Sequence, residues 1–415
     1  MNVARKILGL VFCMALTPTL ALATNGDNLI GVGSISRAMG GVGIASPQDA
    51  VSAVFSNPAA MCFGGYCPSN ETDFMGTVFS PHVKADITAG GNSYSAHADE
   101  KSYTMPAIGI SYEMPEIRNL RFGFGAYGTS GMGVDYRDRG IDNSKAIMGA
   151  MPLAAGTYTD LAVMKFAPSV AYQFTDWLSL GAALHIDYST LDMGKGVSAG
   201  YGVGGEFGVI VKPHDQVNLG LTYINAQTVK YSRVADFDGD NKLDDLKLAS
   251  PQQLGFGVSY TPIPKLLLET DVKWVNWSDA KGYKDFDWDD QWVFNVGVQY
   301  KPIESLALRA GYNYGQSPVK KHTINGSTNV NVQGKSMNAY YYETFRIVGF
   351  PAIAEQHVTF GLGYDINSKF AINAGYMHAF SNSVTETGTA PDGSAASVKS
   401  TMSEDSYEFG LSWRF

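Results

Sequence analysis

What most narrows the fold is a two-residue alternation that recurs, hairpin after hairpin, from about residue 71 to the C-terminus. In Gln253 to Tyr260, Leu254, Phe256, Val258 and Tyr260 share one face, while Gln253, Gly255, Gly257 and Ser259 share the other. A period of two places successive side chains on opposite faces of a strand. The turn Thr261-Pro-Ile-Pro264 leads into a second strand, with Leu266, Leu268, Thr270, Val272 and Trp274 opposed to Leu267, Glu269, Asp271 and Lys273. The same hairpin returns at Trp292 to Tyr314 around the turn Lys301 to Ser305, and again at Val358 to Tyr376. Earlier short turns fall near 113–119, 175–177 and 213–216. These six hairpins, a first strand near 72–84 and a last at 404–415, predict fourteen strands.

Every tight turn falls on one side of this arrangement. The other connections are longer, at 85–100, 134–157, 191–198, 232–250, 278–290, 316–355 and 383–403. Short turns at one end and long loops at the other, with Leu, Val, Phe, Tyr and Trp outward and Gly, Ser, Asn, Gln and charges inward, describe an all-β antiparallel transmembrane barrel. A soluble β-sandwich also alternates, but lacks that asymmetry and seldom opposes its buried face to one so rich in glycine. Composition agrees: charged residues are only 17%, against 46 Gly, 23 Tyr and 21 Phe. No run of about 18 apolar residues follows the N-terminus, which argues against helical membrane spans. A net charge of −9 without a long basic run argues against nucleic acid as a partner. The last strand, Tyr407 to Phe415, ends on an aromatic, as do bacterial outer-membrane strands that the barrel assembly machinery reads.

The N-terminus does not alternate. Arg5 and Lys6, the apolar Ile7 to Leu16 and the small-residue site Ala21-Leu22-Ala23 predict a cleaved signal peptide over 1–23. Its removal takes the charge from −9 to −11. Residues 24–66 are punctuated by Gly31, Gly33, Gly40, Gly41 and Gly43, and read as a plug inside the wall formed by 67–415. Within it, Ser46 as N-cap and Pro47 at the first helical position predict one or two helical turns to Val54. Cys62 and Cys67 in an exported chain suggest a small-loop disulfide; a metal pair is the competing reading, though no His or further Cys lies nearby to complete it.

Asn57-Pro58-Ala59, shortly after a signal and a Gly-rich Ala/Ser segment, resembles the hatch of FadL/TodX-type outer-membrane transporters. Ser250 to Tyr260, Trp274-Val-Asn-Trp-Ser278, Leu308 to Pro318 and Ala374 to Phe380 are similar to segments of that family, in the same order along nearly the whole mature chain. The resemblance implies a fourteen-stranded barrel with a luminal hatch, importing long-chain fatty acids or aromatic and aliphatic hydrocarbons. It also implies a sideways exit through the wall at a kink in the third strand, here Leu120 to Gly133, with Gly123, Gly125 and Gly128 as kink candidates. The chain departs from the family at its third external loop, about 191–198, which is short. The second, Asp142 to Gly156, carries Ile147, Met148, Met151, Pro152 and Leu153 and is the candidate for part of the capture role.

A carboxylate substrate needs a cation or donor at its end. Arg121, Lys273 and Arg309 face inward by parity; they serve either a substrate head group or, paired with Glu269, Asp271 or hatch groups, the hold on the plug. Asn57-Pro58-Ala59 reads as the bend that positions the hatch, since Pro58 fixes φ and removes a donor. Asp236, Asp238, Asp240 and Asp244 occupy positions 1, 3, 5 and 9 of a calcium-type loop, but Asn241 and Lys247 replace its glycine and its bidentate Glu, so calcium competes with a solvated acidic loop. Gly123 to Gly128 matches G-x-G-x-x-G only formally, inside a strand. No cofactor and no catalytic set is expected. The reading is a monomeric, passive importer whose partners are hydrophobic solute and outer-membrane lipid; a polar porin and a structural or adhesive barrel are the alternatives.

Overall fold

The computed structural model describes residues 22–23, 25–61, 70–99, 101–117, 119–137, 139 and 158–415. Its main sheet has seventeen strands, three of which (Leu22–Ala23, Asn92–His97 and Thr323–Asn325) lie outside the barrel wall. The remaining fourteen form the wall in chain order. They are β1 Glu71–Ala89, β2 Tyr103–Glu113, β3 Leu120–Asp135, β4 Tyr158–Thr175, β5 Leu178–Asp192, β6 Ser198–His214 and β7 Val217–Ile224. Then follow β8 Gln252–Ile263, β9 Leu266–Asn276, β10 Gln291–Ile303, β11 Leu306–Gly315, β12 Glu355–Asp365, β13 Phe370–Thr389 and β14 Ala395–Arg414. The ladder closes between β1 and β14, antiparallel from Glu71↔Arg414 to Thr88↔Ser397. Closure removes the unpaired edges that hydrocarbon would not tolerate.

The alternation carries through to the walls. Phe74, Phe124, Phe166, Phe256, Phe294 and Phe409 point outward and are exposed. At the alternate positions of the strands, Asp73, Asp187, Glu206, Asn295 and Glu408 point inward and are buried. Several expected loops are instead β-hairpins, and one of them, 383–403, continues the wall. β13 and β14 each run 20 residues. At ~3.3 Å per residue they far outreach an apolar band ~25 Å tall. Thr, Ser and Val alternate beyond that band, so a polar hairpin can rise above it. Residues 227–250 likewise form a hairpin, Gln227–Ala235 with Asp244–Ser250.

Residues 25–61 lie inside the barrel, and most are buried. Two short helices, α1 Ser34–Ala38 and α2 Ala50–Ser56, and a 3-10 turn, Pro58–Met61, carry the segment across the lumen. The N-cap of α2 is Asp49 and not the expected Ser46: Asp49 accepts from Ser52 N at 2.8 Å. The reason is tertiary. The Ser46 amide is already taken by the Glu269 carboxylate at 2.9 Å, which holds Pro47-Gln48 ahead of the helix. Inward glycines are the seats of this segment. A Cβ at Gly109, Gly181, Gly208, Gly220 or Gly311 would strike Val51, Ala59, Asn57, Ile44 or Gly40 respectively. Those five strands let the hatch backbone approach because nothing projects from them.

Candidate functional site

The wall is interrupted between β2 and β3. Their ladder runs from Glu113↔Arg121 to Ala107↔Tyr127 and stops there. Beyond it, β2 residues 103–106 remain paired only with β1, and β3 only with β4. Pro106 has no N–H to continue the ladder. On the other strand, the β3–β4 register shifts between Gly128 and Ser130, leaving Thr129 as an extra residue. Such a bulge bends its strand and unpairs it locally. The freed β3 backbone pairs with the hatch instead: Leu29 N donates to Thr129 O at 3.0 Å and Gly131 N to Asp27 O at 3.2 Å. Asn28 bridges Ser130. Residues 25–29 thus form a strap from the hatch to the displaced strand.

At this gap lies a cavity of about 290 Å³, walled by Leu29, Phe79, Met105, Met132, Leu161 and Met164, with Pro351 and Ala352 above. Its charged lining residues among those described are Asp27 and Glu404; no Lys, Arg or His lines it. Tyr103 reaches across the gap, its ring 3.0 Å from where a Cβ on Gly133 would sit. Asp27 is buried, and its carboxyl is hydrogen-bonded by Tyr283 O–H from the loop after β9. Desolvation pushes it up to about 6, against the opposing bonds from Tyr283 and Ser130. On the luminal side of Leu29 is a second, smaller cavity of about 50 Å³, where Lys165, His185 and Lys273 converge. Lys165 is held by Asp187 at 2.7 Å and by Gln227 at 2.7 Å.

The residues singled out in the sequence fall in three places. Asn57 donates from Nδ2 to Ile44 O at 2.8 Å and Val209 O at 3.2 Å, and its Oδ1 accepts from Ala59 N at 3.1 Å. Pro58 opens the 3-10 turn, and Ala59 O accepts from Ser179 Oγ at 2.9 Å. The tripeptide therefore clips two stretches of hatch to β5 and β6. Gly123 and Gly125 lie in unbroken ladder against Met61 and Val54, while Gly128 directly precedes the bulge. Of the three cations, Lys273 lines the luminal cavity near Asp271, Glu269 and Glu206. Arg121 reaches Glu113 at 3.2 Å near the short-turn end of the wall. Arg309 also lies at that end, bonded to Gln299 and Asn373. Cys62, Cys67 and the loop 142–156 lie outside the described residues.

The carboxylates opposite these cations are spent on the hatch. Asp271 accepts from Gly43 N at 2.9 Å and Ile44 N at 3.2 Å; Glu269 accepts from Ala45 N and Ser46 N, both at 2.9 Å. Asp73 accepts from Ala50 N at 2.7 Å and Val51 N at 3.1 Å. Sequence reading missed the strongest anchor, Arg37 on α1. Its guanidinium meets Glu408 at 2.7 Å and Ser406 at 2.7 Å, with both charged side chains 1% exposed. An arginine inside Leu29 to Pro47, a stretch otherwise made of Gly, Ala, Ser and apolar residues, was the available signal.

Above the membrane, the segment between β11 and β12 folds over the barrel on an aromatic core. Trp277 and Trp288 rings lie 5.1 Å apart, and Phe286 and Phe345 rings 5.5 Å apart. His322, Glu343 and Glu386 approach one another there, with Arg346 bonded to both glutamates. The Glu343 hydrogen bond raises His322 above its usual range. In the acidic loop, Asp236, Asp238 and Asp244 converge, while Asp240 turns aside to Lys242 at 2.8 Å. Lys335 sits between Asp238 and Asp244 at 3.0 and 2.7 Å, and supplies a cation from within the chain.

A closed barrel with a chain segment across its lumen and a greasy break in its wall defines an outer-membrane transport channel. The family model described as outer membrane protein transport protein (OMPP1/FadL/TodX) matches residues 21–200 and 187–330, and the chain belongs to that family. It is a bacterial outer-membrane barrel of a transport-protein family. Among solved structures, the Pseudomonas putida toluene transporter TodX is similar at 20% identity over 93% of this chain and 99% of that one, with a TM-score of 0.64. A Pseudomonas aeruginosa FadL homologue is similar at 15% identity over 96% and 100%, TM-score 0.68. The Ralstonia pickettii toluene transporter TbuX is similar at 18% identity over 93% and 98%, TM-score 0.59. No curated protein sequence matches the chain.

Proposed function

We propose that the protein passively imports uncharged hydrophobic compounds of hydrocarbon type, which leave the lumen sideways through the gap between β2 and β3. The observation that carries this reading is the apolar cavity at the point where the β2–β3 ladder ends. A solute there has lipid on one side and the strap on the other. Passage from the cavity into the bilayer exposes no apolar surface to water, so no energy input is required. The charge of the lining favours neutral substrates: a carboxylate would meet Asp27 and Glu404 with no described cation to balance it. The volume suits them as well, being about twice the ~150 Å³ apolar cavity that holds benzene in an engineered core. TodX and TbuX are toluene transporters by name, which agrees with this class.

The test is deletion of Thr129. Removing the extra residue restores the β3–β4 register and draws β3 straight. Uptake of labelled toluene by cells carrying the assembled variant should fall to that of cells without the protein. Uptake equal to that of the parent would sink the lateral route. A large steady aqueous conductance of the parent barrel in a planar bilayer would instead make it an open porin.

A further inference from the structure

A third cavity, of about 300 Å³, lies on the opposite side of the hatch from the gap. Its lining comes from the strand ends beside the short turns: Gln299 and Lys301 at the end of β10, Arg309 at the start of β11, Asn373 at the start of β13 and Arg414 at the end of β14. Gln48 and Ile35 of the hatch form its roof. The short turns of such barrels face the periplasm, so this cavity is a periplasmic vestibule, separated by the hatch from the hydrocarbon route.

Arg309 is its unusual member. It is 8% exposed, yet no described carboxylate forms an ion pair with it; Asp49 and Asp365 act on it only at longer range, and the guanidinium is held by two neutral amides. Nε donates to Gln299 Oε1 at 2.7 Å and one terminal nitrogen to Asn373 Oδ1 at 2.9 Å. The group lies over Gly363, where a Cβ would come within 2.6 Å of it. Its second terminal nitrogen bonds to no described residue. The neighbouring Arg414, by contrast, is satisfied by Glu71 at 2.9 Å and Asp365 at 3.0 Å. A buried guanidinium normally takes a carboxylate, whose two oxygens match its fork. Ile35, Ala307 and Ala371 supply an apolar wall beside it.

We propose that this vestibule binds a small organic carboxylate from the periplasmic side, its carboxylate on Arg309 and its apolar body against Ala307, Ala371 and Ile35. Within the lining, Glu71 and Asp365 balance Arg414 and Lys301, which leaves Arg309 as the lining cation without an ion-pair partner; buried Asp49 acts on it from the hatch only at longer range. Gln299, which holds Arg309, also donates to Gln48 on the hatch at 3.1 Å. The ligand site and the hatch therefore share an amide.

Isothermal titration of the purified full barrel in detergent with benzoate tests the site. Binding with a Kd of order 1 mM or tighter is expected, weakened at least tenfold by Arg309→Met. Ala371→Leu, which fills the cavity and leaves Arg309 in place, should weaken it comparably, and keeps the test valid if the Arg309 variant does not assemble. Benzyl alcohol, neutral and of similar shape, should not compete, which separates this site from the hydrocarbon cavity. No heat at millimolar benzoate, equal binding by both variants, competition by benzyl alcohol, or equal affinity for inorganic phosphate would each overturn the assignment.

Discussion

The two ends of the luminal segment are held by different means. The body, from Ser34 to Met61, is keyed into the wall: its amides meet Asp73, Glu269 and Asp271, its arginine meets Glu408, and its backbone lies on glycine seats. The strap, from Asn25 to Leu29, touches the wall through a few backbone bonds to a strand already displaced from its own neighbour, and through the Asp27–Tyr283 pair. Local stability follows the density of such contacts. The strap is thus the part that can yield, and it stands between the two upper cavities. The body is the fixed part, so a route past the hatch need not dislodge all of it.

The largest effect should come from attacking the body's ion pair. Arg37→Met leaves Glu408 buried without its partner, at a cost of about 3–5 kcal/mol. The expected outcome is a lower thermal midpoint and steady conductance through the unseated lumen. Pairing it with Glu408→Gln should recover most of the loss. If the single variant unfolds like the parent and stays closed, the body is not anchored there, and the contrast with the strap disappears.

Next in size is a pH response confined to the strap. Asp27 is held at about 6, whereas its ordinary value is 3.8. The closed strap binds this proton more tightly than the open or unfolded chain does. Its contribution is therefore fully present below about pH 4 and is lost as the pH rises through about 6, a span of about 2–3 kcal/mol. Hydrogen exchange at the Leu29 amide should report it, with protection falling across that window beyond the intrinsic rate change. Asp27→Asn should flatten the profile. An unchanged profile in that variant would place the strap's stability in its backbone bonds alone.

How much of this was legible in the sequence varies by the range of the interaction involved. Strand existence, face and turn side came from a local period of two, and Leu254, Phe256 and Tyr260 point outward as that period requires. The glycines were visible as inward and small, but their purpose was not. Gly208 is a seat only because Asn57, far away in sequence, arrives there. Asp49 displaced Ser46 as the helix cap for a similar reason, a carboxylate on β9 that no local rule includes. The wall gap left one readable trace, Pro106 inside an alternating strand. The bulge at Thr129 left only a loose trace, a glycine-rich third strand whose three candidates include the adjacent Gly128 without singling it out, since Gly128-Thr-Ser-Gly131 alternates no worse than its neighbours.

The smallest effect sharpens the contrast at the joint between hatch and wall. Asn57→Ala removes the two donors that tie Ile44 O and Val209 O together, and the acceptor for Ala59 N. Those groups are buried, but each keeps a chance of another partner, so a loss of about 1–2 kcal/mol is expected. That is too little to prevent assembly of a wall closed by the long β1–β14 ladder. It is enough to loosen the 3-10 turn from Ser179 and Gly181. The variant should therefore give a heat-resistant barrel of parental mobility on a gel, with reduced toluene uptake and brief conductance bursts where Arg37→Met gives a steady current. A failure to assemble would move the tripeptide's role from positioning the finished hatch to guiding the wall around it during folding.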